Sequence, residues 1–260
     1  MAVEDSTMSF GDHLEVLRKM IFKVLSVVIA LATVVFCFKE ETFKLLLAPR
    51  NTDFITFRTI EKIMRYFGCS FEFDQYDIQL ISTELSSQFM THLETACIIG
   101  ALLASPFIIY ELYKFVSPAL YENEKKYSTT ICVTSYFLFM LGVLMNYFVL
   151  FPIAFRFLGT YQVDTTVVSN ITIASYISTF ATLSFTMGLV FELPILGFIL
   201  GKIGFIKSSF MRKYRRHSLI IIMVVAAFIT PPDIFTLCLV TIPLYLLYEV
   251  SILIVSKVEN

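Results

Sequence analysis

The feature that most restricts the fold of this chain is a run of 29 uncharged residues from Tyr127 to Phe155. As a helix it would extend about 44 Å, which exceeds the ~30 Å hydrocarbon core of a bilayer. With 57% apolar residues, 16% charged residues and a mean hydropathy of +0.77, the composition is also far from that of a soluble domain. The sequence therefore predicts an all-α, polytopic membrane protein.

Six membrane spans are expected, at about residues 21–38, 89–115, 127–155, 171–200, 217–232 and 234–255. Residues 1–20 are predicted to form an amphipathic helix at the cytoplasmic surface, and residues 39–88 a long external loop. The 16 residues from 217 to 232 reach only about 24 Å as a helix, so this span must thin the bilayer or lie against protein. We expect residues 1–260 to form a single membrane domain.

The distribution of Lys and Arg predicts the orientation of these spans. Thirteen of them fall on one side, whereas the short loops of the opposite side contain only Arg156. Because short cytoplasmic loops carry the excess of positive charge, both termini are predicted to be cytoplasmic. A net charge of −1 excludes a nucleic-acid binder that works through bulk charge.

The sequence contains no motif that favours an enzyme. HExxH, GxSxG and a Gly-rich phosphate loop do not occur, and the three histidines lie in different segments. We therefore expect no catalytic residue, no metal and no cofactor.

Glu192 is the carboxylate that most demands an explanation, because it lies inside the fourth predicted span. A charged side chain at this depth costs ~2.5–3.5 kcal/mol, so it should be protonated, paired or exposed to a water-filled concavity. It could serve as a functional polar site or brace a kink at Pro194. Prolines are also expected to kink or end helices at four other positions, namely Pro49, Pro106, Pro118 and Pro152.

Two further carboxylates, Glu124 in the loop after the second span and Glu15 in the N-terminal helix, would each be interpreted as simply solvated if taken alone. Their context changes this, because motifs in a fixed order over residues 9–255 resemble the TatC family, the multi-spanning core subunit of the twin-arginine protein translocase. These motifs are His13-Leu14 with Leu17-Arg18, Pro49, Pro106 with Tyr110, Phe115–Tyr121 with Glu124, Gly142 with Tyr147-Phe148 and Phe151-Pro152, Phe191–Pro194, Arg212 with Arg215, Thr230–Asp233, and Pro243 with Tyr248-Glu249.

The resemblance implies a curved, glove-like bundle of six helices in the bacterial inner membrane. Proteins of this family bind the Arg-Arg pair of a signal peptide on folded cargo, and the residues implied here are Glu124, Glu15, Arg18, Leu120 and Tyr121. The resemblance further implies single-span TatA/TatB-type partners, contact with lipid, a homo-oligomer in the full complex and transport driven by the proton-motive force. Thr230, Pro231 and Asp233 are implied to form a periplasmic hinge and partner contact.

The chain departs from the family pattern at several positions. The N-terminal carboxylate, Glu15, comes one residue early, and Val16 holds its usual place. Leu237 stands where relatives often have Gln, and Tyr113 where Trp is frequent. The loop around residues 50–85 is also longer than usual.

Two alternatives of other classes remain at this point. A secondary transporter would use Glu192 as a proton or ion site and should show related halves with matching broken helices. A passive scaffold would bind partners without receptor activity.

Overall fold

The computed structural model of the protein describes residues 10–68, 73, 78–116, 128–162, 164 and 170–259, and these are mostly helical. The helices are α1 (Phe10–Cys37), α2 (Lys39–Leu47), α3 (Ile55–Tyr66), α4 (Ser87–Val116), α5 (Ser128–Met145), α6 (Phe151–Thr160), α7 (Ile173–Val190), α8 (Leu193–Lys202), α9 (Ser208–Lys213), α10 (Arg215–Ile229) and α11 (Ile234–Glu259). A 3₁₀ turn (Ala48–Arg50) follows α2, and a π-helical segment (Asn146–Leu150) joins α5 to α6.

Within the described residues, five helical stretches are long and apolar enough to cross a membrane: His13–Cys37, Ser87–Phe115, Thr129–Thr160, Ile173–Lys202 and Ile234–Glu259. The predicted all-α, polytopic fold class is therefore confirmed. The remaining predicted span corresponds to α10, whose 15 residues end at Ile229, just before Pro231 and Pro232. Its length of about 22 Å makes it shorter than a hydrocarbon core.

One predicted boundary near the N-terminus differs from the structure. The sequence divides a surface helix over residues 1–20 from a span at 21–38, whereas in the described residues α1 is one continuous helix from Phe10 to Cys37. The sequence has neither Gly nor Pro between Asp12 and Cys37, so nothing interrupts the helical hydrogen bonds there. Pro49 lies in the 3₁₀ turn that directly follows the end of α2.

The chain divides into two compact units. The first contains residues Met1–Phe38 and Leu93–Tyr136, and the second contains Lys39–His92 and Phe137–Asn260. That residues 1–260 act as a single membrane domain stays a prediction.

In the first unit, α1 and α4 run antiparallel to each other. His13 stacks on Phe115 with ring centroids 4.3 Å apart, and the Lys23 ammonium lies 3.9 Å from the Glu111 carboxylate. Further along, a Cβ added to Gly100 would meet the backbone nitrogen of Ala32 at 2.7 Å. The two helices therefore approach so closely at this point that only glycine fits.

In the second unit, α5 and the π segment pack against α7. The amide of Asn146, fully buried, donates to the Ser184 hydroxyl at 2.8 Å. A Cβ on Gly142 would lie 2.5 Å from the carbonyl oxygen of Met187, so this contact also requires glycine. The core beside it is aromatic, and Phe151 meets the rings of Tyr176 and Phe180 edge to face at 4.9 and 5.2 Å.

The segment predicted as a long loop, residues 39–88, contains α2, the 3₁₀ turn, α3 and the short strand β1 (Leu80–Ile81). This strand pairs in parallel with β2 (Ile171–Thr172), which precedes α7. Helix α3 ends just before Gly68, whose φ of 79° is the left-handed conformation that glycine adopts at helix C-termini.

Candidate functional site

The predicted N-terminal binding residues lie on an exposed face at the start of α1. The Glu15 carboxylate forms an ion pair with Lys19 at 2.7 Å, and its side chain is 52% exposed. Arg18 is exposed as well, and so is Val16, which occupies the usual position of the carboxylate. Both the usual and the displaced position are therefore accessible from solvent.

The start of α1 lies next to the end of α4 because of the His13–Phe115 stack. From Phe115 the chain runs nine residues to Glu124, so a fully extended connection could extend no more than ~32 Å. Glu124, Leu120, Tyr121 and Pro118 themselves lie outside the described residues.

Glu111 is a buried carboxylate that the sequence interpretation did not single out. The residue is 8% exposed, and its carboxylate lies 3.9 Å from the Lys23 ammonium. A signal was present in the sequence, because Glu111 ends a stretch that carries no charge after Glu94. The Glu111–Lys23 pair links α4 to α1 at a position one turn before Phe115 on α4, so it helps to fix the end of α4.

Glu192 lies at the break between α7 and α8, which together form one predicted span. Its backbone carbonyl accepts hydrogen bonds from the amides of Ile195 and Leu196, both at 3.0 Å, so the residue begins α8. Pro194 occupies the first turn of this helix, where the missing N–H costs nothing. The residue is half-buried and lies at the N-terminal, positive end of the α8 dipole.

The other predicted kinks occupy different helical positions. Pro106 lies inside α4, which continues through it from Ser87 to Val116. Pro152 lies in the first turn of α6, directly after the π segment. A π-helical turn contains one extra residue, and this changes the direction of the helix that follows it.

The segment Thr230–Asp233 joins α10 to α11. Asp233 caps α11, since its Oδ1 accepts a hydrogen bond of 2.6 Å from the amide of Thr236. The Thr230 hydroxyl donates back to the carbonyl of Ala226 at 2.9 Å. Pro231 lines a cavity of about 200 Å³ together with Phe155 and Tyr176. The geometry is that of a tight connection, and the predicted partner contact stays a prediction.

A polar cluster that was not predicted holds α9 and the start of α10 against the end of α11. Arg215 donates to the Glu249 carboxylate at 2.7 Å, and the Tyr245 hydroxyl donates to the same carboxylate at 3.1 Å. Ser208 donates to Glu259 from its backbone N–H at 2.8 Å and from its hydroxyl. Tyr245 and Glu249 are four residues apart on one helix, but Arg215–Glu249 and Ser208–Glu259 are separated by 34 and 51 residues, so no spacing rule pairs them.

Among the described residues, no group of three or more His, Cys, Asp or Glu side chains is arranged to hold a metal ion. Leu237, at the position where Gln is frequent, is half-buried on α11.

These features define a polytopic α-helical membrane protein whose ionisable side chains gather at helix ends and at one interrupted span. The family model described as Sec-independent protein translocase protein (TatC) matches residues 12–243. The chain belongs to the TatC family. It is thus related to protein-translocase components, which are transport proteins and not known enzymes.

Curated relatives match over nearly the whole chain. The TatC protein of Blattabacterium sp. subsp. Periplaneta americana (strain BPLAN) is 36% identical over 98% of this chain and 97% of its own length. The TatC protein of Escherichia coli (strain K12) is 31% identical over 97% of this chain and 89% of its own length.

Two solved structures share the fold. A crystal structure of the twin-arginine translocase receptor TatC matches with a TM-score of 0.74 and 28% identity, covering 95% of this chain and all of that one. A second crystal structure of this receptor, in DDM, matches with a TM-score of 0.72 and 29% identity, covering 93% of this chain and 98% of that one. The family assignment favours translocation over the secondary-transporter alternative.

Proposed function

We propose that this protein is the core receptor subunit of a twin-arginine translocase in the bacterial inner membrane. It binds the Arg-Arg pair of signal peptides on folded cargo at the cytoplasmic face, where both termini lie. The observation that carries this proposal is the α1–α4 pairing. The His13–Phe115 stack brings exposed Glu15 and Arg18 beside the end of α4, from which the chain leads to Glu124.

Carboxylates suit this ligand because a guanidinium presents two parallel N–H donors that match the two oxygens of a carboxylate. Glu124 would bind one arginine of the pair and Glu15 the other, with Leu120 and Tyr121 contacting the neighbouring apolar residues of the peptide. Val16 occupies the usual position of this carboxylate, and Glu15 lies about 100° away from it around the helix axis. Glu15 would therefore approach the arginine from a different direction. The Glu15 carboxylate pairs with Lys19 on α1, and Arg18 lies three residues after Glu15 on the same helix.

After binding, the apolar part of the signal peptide would move along the spans toward Glu192. Single-span TatA/TatB-type subunits would assemble near the two final spans, with Thr230, Pro231 and Asp233 at the periplasmic contact, and several copies of the receptor would join the full complex. Moving one charge across the membrane supplies only ~2.3 kcal/mol per 100 mV, so transport must couple many charges or protons.

Transport into inverted membrane vesicles tests this function. The vesicles would contain this chain with the TatA/TatB-type subunits of the same organism, and the cargo would be a folded fluorescent protein with an Arg-Arg signal peptide. We expect import that requires the proton-motive force, is abolished by an uncoupler and falls at least several-fold in Glu124→Gln. The matched control is Glu122→Gln in the same loop, which should import normally. Import that continues with Lys-Lys cargo, or equally in both variants, would reject the proposal.

A further inference from the structure

The connection between α8 and α10, residues 202–216, is here called the basic connection. It follows the membrane-length stretch Ile173–Lys202 directly, so it lies at the boundary between hydrocarbon and water. Its sequence has no acidic residue and six basic ones, namely Lys202, Lys207, Arg212, Lys213, Arg215 and Arg216. It is a strongly cationic element at a membrane interface.

The basic connection has a defined conformation because α11 holds it in place. The Tyr248 hydroxyl donates to the carbonyl of Met211 at 2.9 Å, and Ser208 is bound by the Glu259 carboxylate. Arg212 contacts the Ser256 hydroxyl at 3.4 Å, and Arg215 pairs with Glu249. Arg212 and Arg215 are thus engaged by hydrogen bonds. The Lys213 ammonium lies 5.8 Å from the centre of the Tyr214 ring, and Lys207 is close enough to the Glu259 carboxylate to interact with it electrostatically.

A groove of about 670 Å³ opens on this element, and its lining includes Phe205, Ile206, Lys207, Phe210 and Lys213. This volume falls within the ~300–1,000 Å³ that ligand sites usually enclose. The rings of Phe205 and Phe210 are 79% and 59% exposed, so large apolar surfaces lie beside two ammonium groups. Exposed apolar area of this kind indicates an interaction site, and aromatic rings next to lysines suit the lipid headgroup region.

We propose that this groove binds an anionic phospholipid, with Lys207 and Lys213 on the phosphate and the two phenylalanine rings at the start of the acyl chains. Charge complementarity and the position at the end of a membrane-length helix support a lipid as the occupant. Lysine suits this role because its apolar stem can lie along the rings while the ammonium reaches the phosphate. A lipid bound there would anchor the end of α8 and the end of α11 to the leaflet.

Fluorescence quenching by brominated lipids tests this site in the intact protein. The chain contains no tryptophan, so Phe205→Trp creates a single emitter in the groove. The reporter protein would be placed in nanodiscs that contain brominated phosphatidylglycerol or, in parallel, brominated phosphatidylcholine. We expect phosphatidylglycerol to associate more strongly by a factor on the order of ten.

Three paired substitutions in the reporter protein separate a defined site from general charge attraction. Lys207→Gln with Lys213→Gln should remove the preference for phosphatidylglycerol, whereas Lys207→Arg with Lys213→Arg should keep it. Lys202→Gln with Arg216→Gln removes the same amount of charge from residues outside the groove lining. This pair should keep most of the preference for phosphatidylglycerol. Quenching by phosphatidylcholine in every variant checks that the protein is folded and inserted.

Three results would overturn the proposal. The first is an equal affinity of the reporter for both lipids. The second is an equal loss of preference in the groove pair and the control pair, which would indicate general surface attraction. The third is loss of phosphatidylglycerol quenching when single-span partner subunits are added, which would make a protein the occupant.

Discussion

The hydroxyl of Tyr147 donates a hydrogen bond of 2.8 Å to the carbonyl oxygen of Leu45, a residue 102 positions earlier in the chain. In an α-helix that carbonyl would accept from the amide four residues later, but residue 49 is proline and has no N–H. A reciprocal contact joins Thr56 to the Phe148 carbonyl, which lies four residues before Pro152. In each of the two segments a proline leaves one backbone carbonyl without its helical N–H donor, and a hydroxyl from the other segment donates to that carbonyl instead.

Removing the hydroxyls that bind these carbonyls should destabilise the second unit. Tyr147→Phe should lower the free energy of unfolding by about 1 kcal/mol. Tyr176→Phe should cost more, about 1–3 kcal/mol, because Tyr176 is 2% exposed and its hydroxyl donates to the Leu46 carbonyl at 2.8 Å. Unfolding in one detergent measures both. Tyr161→Phe, at a ring that is 62% exposed, is the control, and equal effects of all three would contradict this account.

Gly100→Ala should force α1 and α4 apart, because the new Cβ would meet the Ala32 backbone at 2.7 Å. We expect a loss of about 1–3 kcal/mol in unfolding free energy and weaker peptide binding, since Glu15 would move with α1. The matched control is Gly197→Ala, where the nearest atom to the new Cβ is 3.4 Å away. That substitution should be neutral or slightly stabilising, because alanine favours a helix. Similar losses in both variants would refute the close α1–α4 contact.

The buried Asn146–Ser184 hydrogen bond should make the two residues energetically coupled. In a double-mutant cycle with Asn146→Ala and Ser184→Ala, we expect an interaction energy of about 0.5–2 kcal/mol. Reversible unfolding of the four proteins in one detergent provides the measurement. Strictly additive effects would show that this contact does not fix α7 against the π segment.

The Glu259 carboxylate should hold α9 in place through Ser208. In Glu259→Gln, hydrogen exchange of the amides in residues 205–213 should become faster, because the substituted amide accepts more weakly from the Ser208 N–H. Lys257→Gln, two residues away and exposed, should leave that exchange unchanged. Unchanged exchange in Glu259→Gln would mean that the contact between Glu259 and Ser208 does not stabilise α9.

The helices could be predicted because long uncharged runs are a strong local signal, and the described part of the run that ends at Phe155 lies within the helical stretch Thr129–Thr160. The continuous α1 was also predictable, because the sequence from Asp12 to Cys37 contains neither Gly nor Pro. The predicted boundary between a surface helix and a span at residue 20 did not take this into account. The contacts of Asn146 and of Tyr147 could not be foreseen, because a single sequence does not state which segments meet. The same limit applies to Glu259 and Ser208, which lie 51 residues apart.

Part of the candidate site followed from sequence and part did not. The resemblance placed Glu15 and Arg18 on the first helix, and the structure exposes both. The buried Glu111–Lys23 pair was not predicted, because Glu111 belongs to none of the motifs that carry the family resemblance. Glu124 stays a prediction from the resemblance, since it lies outside the described residues.

The receptor claim is tested most directly by titrating a labelled signal peptide onto the purified protein in nanodiscs. The Arg-Arg peptide and its Lys-Lys counterpart would be compared on the unmodified protein, Glu124→Gln and Glu15→Gln. We predict that Arg-Arg binds, that Lys-Lys does not, and that each substitution weakens Arg-Arg binding at least several-fold because a bidentate guanidinium–carboxylate pair is lost. Equal binding of the two peptides to the unmodified protein, or no binding at all, would contradict the account.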